Sequence, residues 1–367
     1  MSSKLKEERL RALGADAVAP SGSGCRQSRL CFWQNQSEPD GDDPNNAIDP
    51  ERHTRNRPGG AVRLLGELEG VRHRFVRTSR LRMHVAEAGG GEPVLLLHGW
   101  LQHWYAWRDV IPLLATRYRV ICPDLRGFGW TDAPRTGYST EELVEDLIAL
   151  LDVLALERVC VVGHELGGRL GFHLSLSQPT RVRGHLALNA LHPYGSARRL
   201  APQAWRQWWT VFVETPLLGR TVLRRLPAFT RLLFRLGNPN PDTRAASAVE
   251  QFIATLREPD RARAAERVQT QFAYRELVPT LLGKYRPTRL KVPTLMLNGT
   301  KDFALSPAGL GGYEPYADDL RVELVTDAGH FLPEERPRLV AETAHRFFSR
   351  LIERQSASQV PLTEATR

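Results

Sequence analysis

The feature that most restricts this chain is an apolar run that breaks into glycines and resumes as a helix: Val159-Cys-Val-Val-Gly-His-Glu-Leu-Gly-Gly-Arg169. Gly163 and Gly167 stand two residues either side of Glu165, so the backbone can reverse sharply and present that side chain at a sheet edge. A strand, a tight turn and a helix in this order make a nucleophile elbow, with Glu165 in the nucleophile's place. Such a turn needs neighbouring strands, and the sequence supplies them. Short continuous apolar runs at Val94–Leu97, Val120–Cys122, His185–Leu188, Thr294–Leu297 and Val322–Val325 read as strands covered on both faces. Helical patterns fall among them at Trp104–Leu114, Thr140–Leu154, Gly167–Ser177 and Pro337–Arg354. That alternation predicts an α/β protein with a mostly parallel, doubly wound sheet. Ahead of it, Val71–Val76 and Arg80–Ala86 alternate polar and apolar residues, as a half-buried antiparallel pair does.

Between about 195 and 290 the alternation stops, and helical patches rich in Trp, Phe, Leu and Arg take over. This stretch is expected to be a helical cap inserted between two sheet strands. The net charge of +9 belongs to it alone, because residues 195–290 hold 17 basic and seven acidic residues. A surplus confined to one subregion argues against nucleic acid as a partner. Trp205, Trp208, Trp209, Phe212, Leu217 and Leu218, followed by Arg220, Arg224, Arg225, Arg231 and Arg235, admit two readings. The sharper one is contact with a lipid surface or an anionic ligand. The plainer one, preferred from sequence, packs the aromatics as the cap's inner face with the arginines solvated outside.

Residues 1–66 are small, flexible or polar and read as an extension, and 356–367 as a tail, leaving 67–194 and 291–355 as the core. No apolar run approaches the roughly 18 residues of a membrane span, and no leader pattern opens the chain. Four cysteines, of which only Cys25 and Cys31 are close, make neither a disulfide framework nor a zinc site. A reduced, cytoplasmic setting without a metal is the expectation.

Three further strand ends carry chemistry-bearing residues. His98-Gly99-Trp100 follows the Val94 strand, where a loop N–H can face an oxyanion. Asp302 follows the Thr294 strand and His330 the Val322 strand. Singly, each is an ordinary loop residue; together they give the order elbow, acid, histidine.

At these residues the chain resembles the epoxide hydrolase branch of the α/β-hydrolase fold over about 70–355. The resemblance is carried by His98-Gly-Trp-Leu-Gln-His-Trp-Tyr-Ala-Trp-Arg108, Pro123-Asp-Leu-Arg-Gly-Phe-Gly-Trp-Thr-Asp-Ala-Pro134, the elbow, and the Asp302 and His330 loops. It implies that a carboxylate opens a small hydrophobic epoxide to an ester, which water activated by a His–Asp pair then hydrolyses, with no cofactor. Glu165 would be the nucleophile, His330 the base and Asp302 its partner. The N–H groups of Trp100 and Leu166 would form the oxyanion site. Tyr274 would donate from the cap, and Trp100 and Trp104 would wall the pocket. Three departures stand against this. Glu165 occupies a place the family gives to Asp, Leu101 one it usually gives to Pro, and one of two cap tyrosines is missing. A serine at the elbow, as in esterases, is absent, and Leu166 stands where haloalkane dehalogenases place a halide-holding Trp. The extra methylene of Glu165 extends the carboxylate by about 1.5 Å, which could pair it with His330 and suppress the base. Shortening it to Asp is then expected to raise activity. The alternatives are a capped pocket that binds a hydrophobic ligand without turnover, and a hydrolase using Glu165 as a general base.

Overall fold

Eight strands, β1 Arg72–Arg77, β2 Arg82–Ala88, β3 Glu92–Leu97, β4 Tyr118–Pro123, β5 Val159–His164, β6 Val182–Leu188, β7 Thr294–Gly299 and β8 Leu320–Val325, build one sheet in this computed structural model. Residues 68–238 and 245–358 are described. Cys25, Cys31 and all of the expected extension lie outside them, as do residues 359–367. The strand order is β1-β2-β4-β3-β5-β6-β7-β8. β2 runs antiparallel to β1 and β4, and all the remaining pairings are parallel. This is the mostly parallel, doubly wound sheet that the alternation predicts. β3 has β4 on one side and β5 on the other, so connections leave it in opposite directions. A crevice opens outside the carboxyl ends of strands at such a switch point. The elbow after β5 and the His98-Gly99-Trp100 loop after β3 both stand there.

The sheet is covered by α1 Ile111–Ala115, α2 Thr140–Val153, α3 Leu166–Ser177 and, after β8, α11 Leu332–Glu335 and α12 Pro337–Ser358. Ser139 starts α2 with a capping box: its side chain accepts from the Glu142 N–H, and the Glu142 carboxylate accepts from the Ser139 N–H. The single helix expected over Trp104–Leu114 is instead a 3-10 turn, Trp104–Trp107, followed by the short α1. The buried Asp124 carboxylate takes the Trp104 N–H at 2.8 Å and fixes that turn from below. α12 runs three residues into the stretch expected to be tail.

Between β6 and β7 the chain is helical: α4 Ala197–Leu200, a 3-10 turn Ala201–Gln207, α5 Thr210–Glu214, α6 Leu218–Arg225, α7 Pro227–Gly237, α8 Ala245–Leu256, α9 Pro259–Gln271, a π-turn Phe272–Leu277 and α10 Val278–Leu281. The expectation that Trp205, Trp208, Trp209 and Phe212 form an inner packing face is overturned for all but one of them. Trp209 turns inward and stacks on Trp100 at 5.5 Å, but Trp205 is 72% exposed, Trp208 46% and Phe212 42%, with Leu217 and Leu218 exposed as well. The cause is helical phase. Residues three apart share a side of a tight turn, so Trp205 and Trp208 point out together, while Gln203, Gln207, Trp209 and Thr210 face a cavity. Among the described residues, no helix is long and apolar enough to cross a membrane.

Candidate active site

Glu165 sits at the tip of the elbow with φ 45° and ψ −102°, a conformation that side chains other than glycine's resist. The glycines around it make the turn possible. A Cβ on Gly163 would run into the Gly167 carbonyl, and one on Gly167 into the Leu97 carbonyl of β3. Backbone bonds from Glu165 N to Leu188 O (3.0 Å) and from Gly167 N to His98 O (3.1 Å) lock the turn between its neighbours.

The Glu165 carboxylate is held at both oxygens. The Trp100 N–H donates to Oε2 at 2.8 Å, and Arg169 Nη2 donates to Oε1 at 3.2 Å. Burial works against ionisation here, but Arg169, the Trp100 N–H and the His330 charge outweigh it and leave the group below the usual carboxylate range. The expected resting pair with His330 is not formed; Arg169, one helical turn on, takes the carboxylate instead. The guanidinium also lies over the Phe272 ring, 3.6 Å from its centre.

His330 Nδ1 lies 3.0 and 3.1 Å from the two oxygens of Asp302. It donates there, which leaves Nε2 for the cavity. Burial alone would lower the His330 pKa; the Asp302 charge and hydrogen bond, then Glu165, raise it above the ordinary histidine value. Asp302 is itself fixed by the backbone N–H groups of Ala304 and Leu305 and by Asn189 Nδ2 at 2.7 Å. Burial opposes its charge, and His330 more than offsets that.

Beneath them runs a buried chain. His164 Nε2 lies 2.8 Å from the His330 carbonyl and its Nδ1 3.0 Å from the Gln102 amide, which meets Glu334 at 2.8 Å. Burial, then His330, lowers His164 to about 4, so it is neutral. The Gln102 oxygen faces its Nδ1, and the Gln102 NH2 donates to Glu334 Oε1. Burial pushes Glu334 up to about 7 against the pull of Arg108.

Glu165, Arg169 and His330 open into a cavity of about 450 Å³, walled by Trp100, Leu101, Trp209, Leu233, Phe234, Phe272, Phe303 and Phe331 among others. That size and apolar lining suit a small organic molecule. Two expected contributors are corrected. Tyr274 is 68% exposed and does not line the cavity; Phe272 takes the inner side of the π-turn, and two residues on the chain faces away. Trp104 is buried behind the loop with its ring 4.6 Å from His73 and does not reach the cavity either. Leu101 has φ 67°, a left-handed backbone that a proline ring forbids, so this loop follows its own path. Leu166 opens α3, where helix N–H groups lack intrahelical partners.

Three residues escaped the sequence reading. Arg169 carried a signal, four residues after an acid at a helix start. Asn189 ends β6 as the other site residues end their strands. Glu214, the lone acid between 195 and 240, lines the cavity and accepts from Gln269 Nε2 at 3.1 Å. Burial raises its pKa. Among the described residues, no group of three His, Cys, Asp or Glu side chains is placed to hold a metal ion.

Residues 92–337 match the pattern of the alpha/beta hydrolase fold. The chain belongs to that family. This hydrolase is 28% identical to a soluble epoxide hydrolase of Corynebacterium sp. (strain C12), over 77% of this chain and 98% of that one. It is 30% identical to haloalkane dehalogenase 2 of Mycobacterium bovis, over 75% and 94%. Among solved structures, the epoxide hydrolase CorEH superposes with a TM-score of 0.68 at 27% identity, covering 77% of this chain and 99% of that one.

Proposed function

We propose that this hydrolase opens small hydrophobic epoxides through Glu165, His330 and Asp302, under a cap formed by residues 195–290. The observation that carries the proposal is the meeting, at one apolar cavity, of the elbow carboxylate and a histidine oriented by a buried aspartate. Glu165 Oε1 attacks a ring carbon and the ring C–O bond breaks. Oε2, held by the Trp100 N–H, becomes the ester carbonyl oxygen. Tyr274 being outside, we assign the alkoxide's proton to Glu214, the carboxyl group on the cavity wall whose pKa burial raises. His330 Nε2 then takes a proton from water as the water adds to the ester carbon. The N–H groups of Trp100 and Leu166 hold the tetrahedral oxyanion. Its collapse releases the diol oxygen, protonated by His330, and the acid proton left on Glu165 returns to Glu214. The sum is epoxide plus water giving diol.

The Arg169 ion pair favours a second reading. A carboxylate neutralised by a buried guanidinium is a weaker nucleophile, and the cavity then suits binding of a hydrophobic ligand without turnover. Mass spectrometry after brief incubation with a reactive aryl epoxide separates the two. An adduct on the Glu165 peptide, accumulating in Asp302→Asn, supports hydrolysis; ligand binding with no adduct in any variant supports the second reading.

A further inference from the structure

We propose that the outward face of the helical insertion, from Trp205 to Leu236, docks this protein on an anionic lipid bilayer beside the cavity wall. Nine large apolar residues lie exposed on this face: Trp205, Trp208, Val211, Phe212, Leu217, Leu218, Leu226, Leu232 and Leu236. Part of this set is joined ring to ring. The Trp208 and Phe212 rings lie 6.2 Å apart, and Phe212 meets Phe229 of α7 at 5.8 Å. Contiguous exposed apolar surface of this kind marks a contact site, and tryptophans favour the zone between acyl chains and headgroups.

The charge names the occupant. Between 195 and 240 stand eight arginines and one acid, Glu214, which faces the cavity. Arg220 and Arg231 are paired with Glu266 and Glu250. Arg224, Arg225 and Arg235 are exposed, and the structure gives them no carboxylate partner among the described residues. They alternate with the apolar residues, as in Arg224-Arg225-Leu226 and Arg235-Leu236. Aromatic and leucine side chains that enter an interface, flanked by arginines at the depth of lipid phosphates, are what an anionic bilayer selects. A second copy docked face to face would set these arginines against their own kind.

The position supplies a use. Gln203, Ala204, Gln207, Trp209 and Thr210 line the cavity from the very turns whose other side carries Trp205, Trp208 and Phe212. A docked molecule thus holds its pocket against the layer in which a water-insoluble substrate is dissolved.

The test is flotation of the full chain with vesicles of phosphatidylcholine alone and of phosphatidylcholine with about a third phosphatidylglycerol. The protein is expected to rise with the anionic vesicles and to be released as salt increases. Arg224→Gln, Arg225→Gln and Arg235→Gln should each lower partition about fivefold. The combination Trp205→Ser, Trp208→Ser and Phe212→Ser should lower it by at least about tenfold, while Leu324→Ser on β8 leaves it unchanged. Thermal melts confirm that each variant folds. Absence of flotation, equal flotation with neutral vesicles, or unchanged partition of the triple variant overturns the proposal. So does light scattering that shows a dimer lost in Trp205→Ser while vesicles stay bare, since the face would then belong to a second copy.

Discussion

In β5 every side chain is buried, whereas between 205 and 236 nine large apolar residues lie on the surface. Both stretches are apolar, yet in one the apolar groups meet other protein and in the other they do not. The difference lies in geometry. A parallel strand in mid-sheet has a helical layer on each face, so its whole sequence can be apolar. A helix offers one stripe to the body beneath it, and the opposite stripe goes to solvent or to a partner. Apolar content therefore locates the core reliably in the strands and misleads in the insertion. The two regions also divide the site: Glu165, Asp302 and His330 stand on loops of the sheet, and the insertion supplies walls, Glu214 and Phe272.

That division is tested most severely at the sheet loops. Asp302→Asn and His330→Gln should each lower epoxide turnover by a factor on the order of 10³ to 10⁴ and leave an ester on Glu165 that wild type clears. Unchanged single-turnover rates would move the chemistry elsewhere. Next comes the core itself. Leu186→Ala, at a side chain with no exposed surface, should cost about 2–5 kcal/mol in denaturant unfolding. Trp205→Ser, on the exposed face, should stay within about 0.5 kcal/mol. Equal costs would erase the contrast between the two regions.

Glu165→Asp probes how the elbow is fitted to its side chain. Sequence alone predicts a gain. The Oε2 contact of 2.8 Å with the Trp100 N–H means the longer carboxylate already reaches its donor, so the shorter one should fall short and lose about a hundredfold in rate. Faster hydrolysis by the Asp form would return the elbow to its relatives' dimensions.

A smaller effect follows from pH. Burial holds His103 and His185 at about 3, and His164 and His192 at about 4. The unfolded chain takes up protons at these histidines below about 6.5 while the folded one refuses them. Stability is therefore present above pH 6.5 and drains away as pH falls towards 4. Glu334 works in the other direction. With its pKa raised from 4.5 to about 7, its contribution is full below 4.5 and lost as pH rises through 7. Melting temperature should peak between these limbs, and Glu334→Gln should flatten only the alkaline one. A profile that rises steadily with acidity would contradict the buried neutral histidines.

Much of this was legible in the sequence. Continuous apolar runs found the parallel strands because burial on both faces removes the need for polar residues. Glycine spacing found the elbow because the backbone admits no other residue at Gly163 or Gly167. Tyr274 and Trp104 misled because their direction depends on helical phase, which a π-turn and a 3-10 turn shift locally. Asn189 went unassigned because Asp302, on which it acts, is far off until the strands align, and Arg169 because a pair four apart on a helix reads as ordinary helix support. The aromatics of the insertion went astray for want of knowing which stripe was already covered.

The twisted backbone at Glu165 has a consequence for selection in the laboratory. A left-handed φ of 45° penalises any side chain by on the order of 1 kcal/mol or more, and glycine escapes the penalty. Glu165→Gly lifts that strain but leaves the buried Arg169 guanidinium and the Trp100 N–H without their acceptor, which costs more. A library of this protein screened only for heat resistance would therefore keep a carboxylate at the elbow tip, although heat asks nothing of its chemistry.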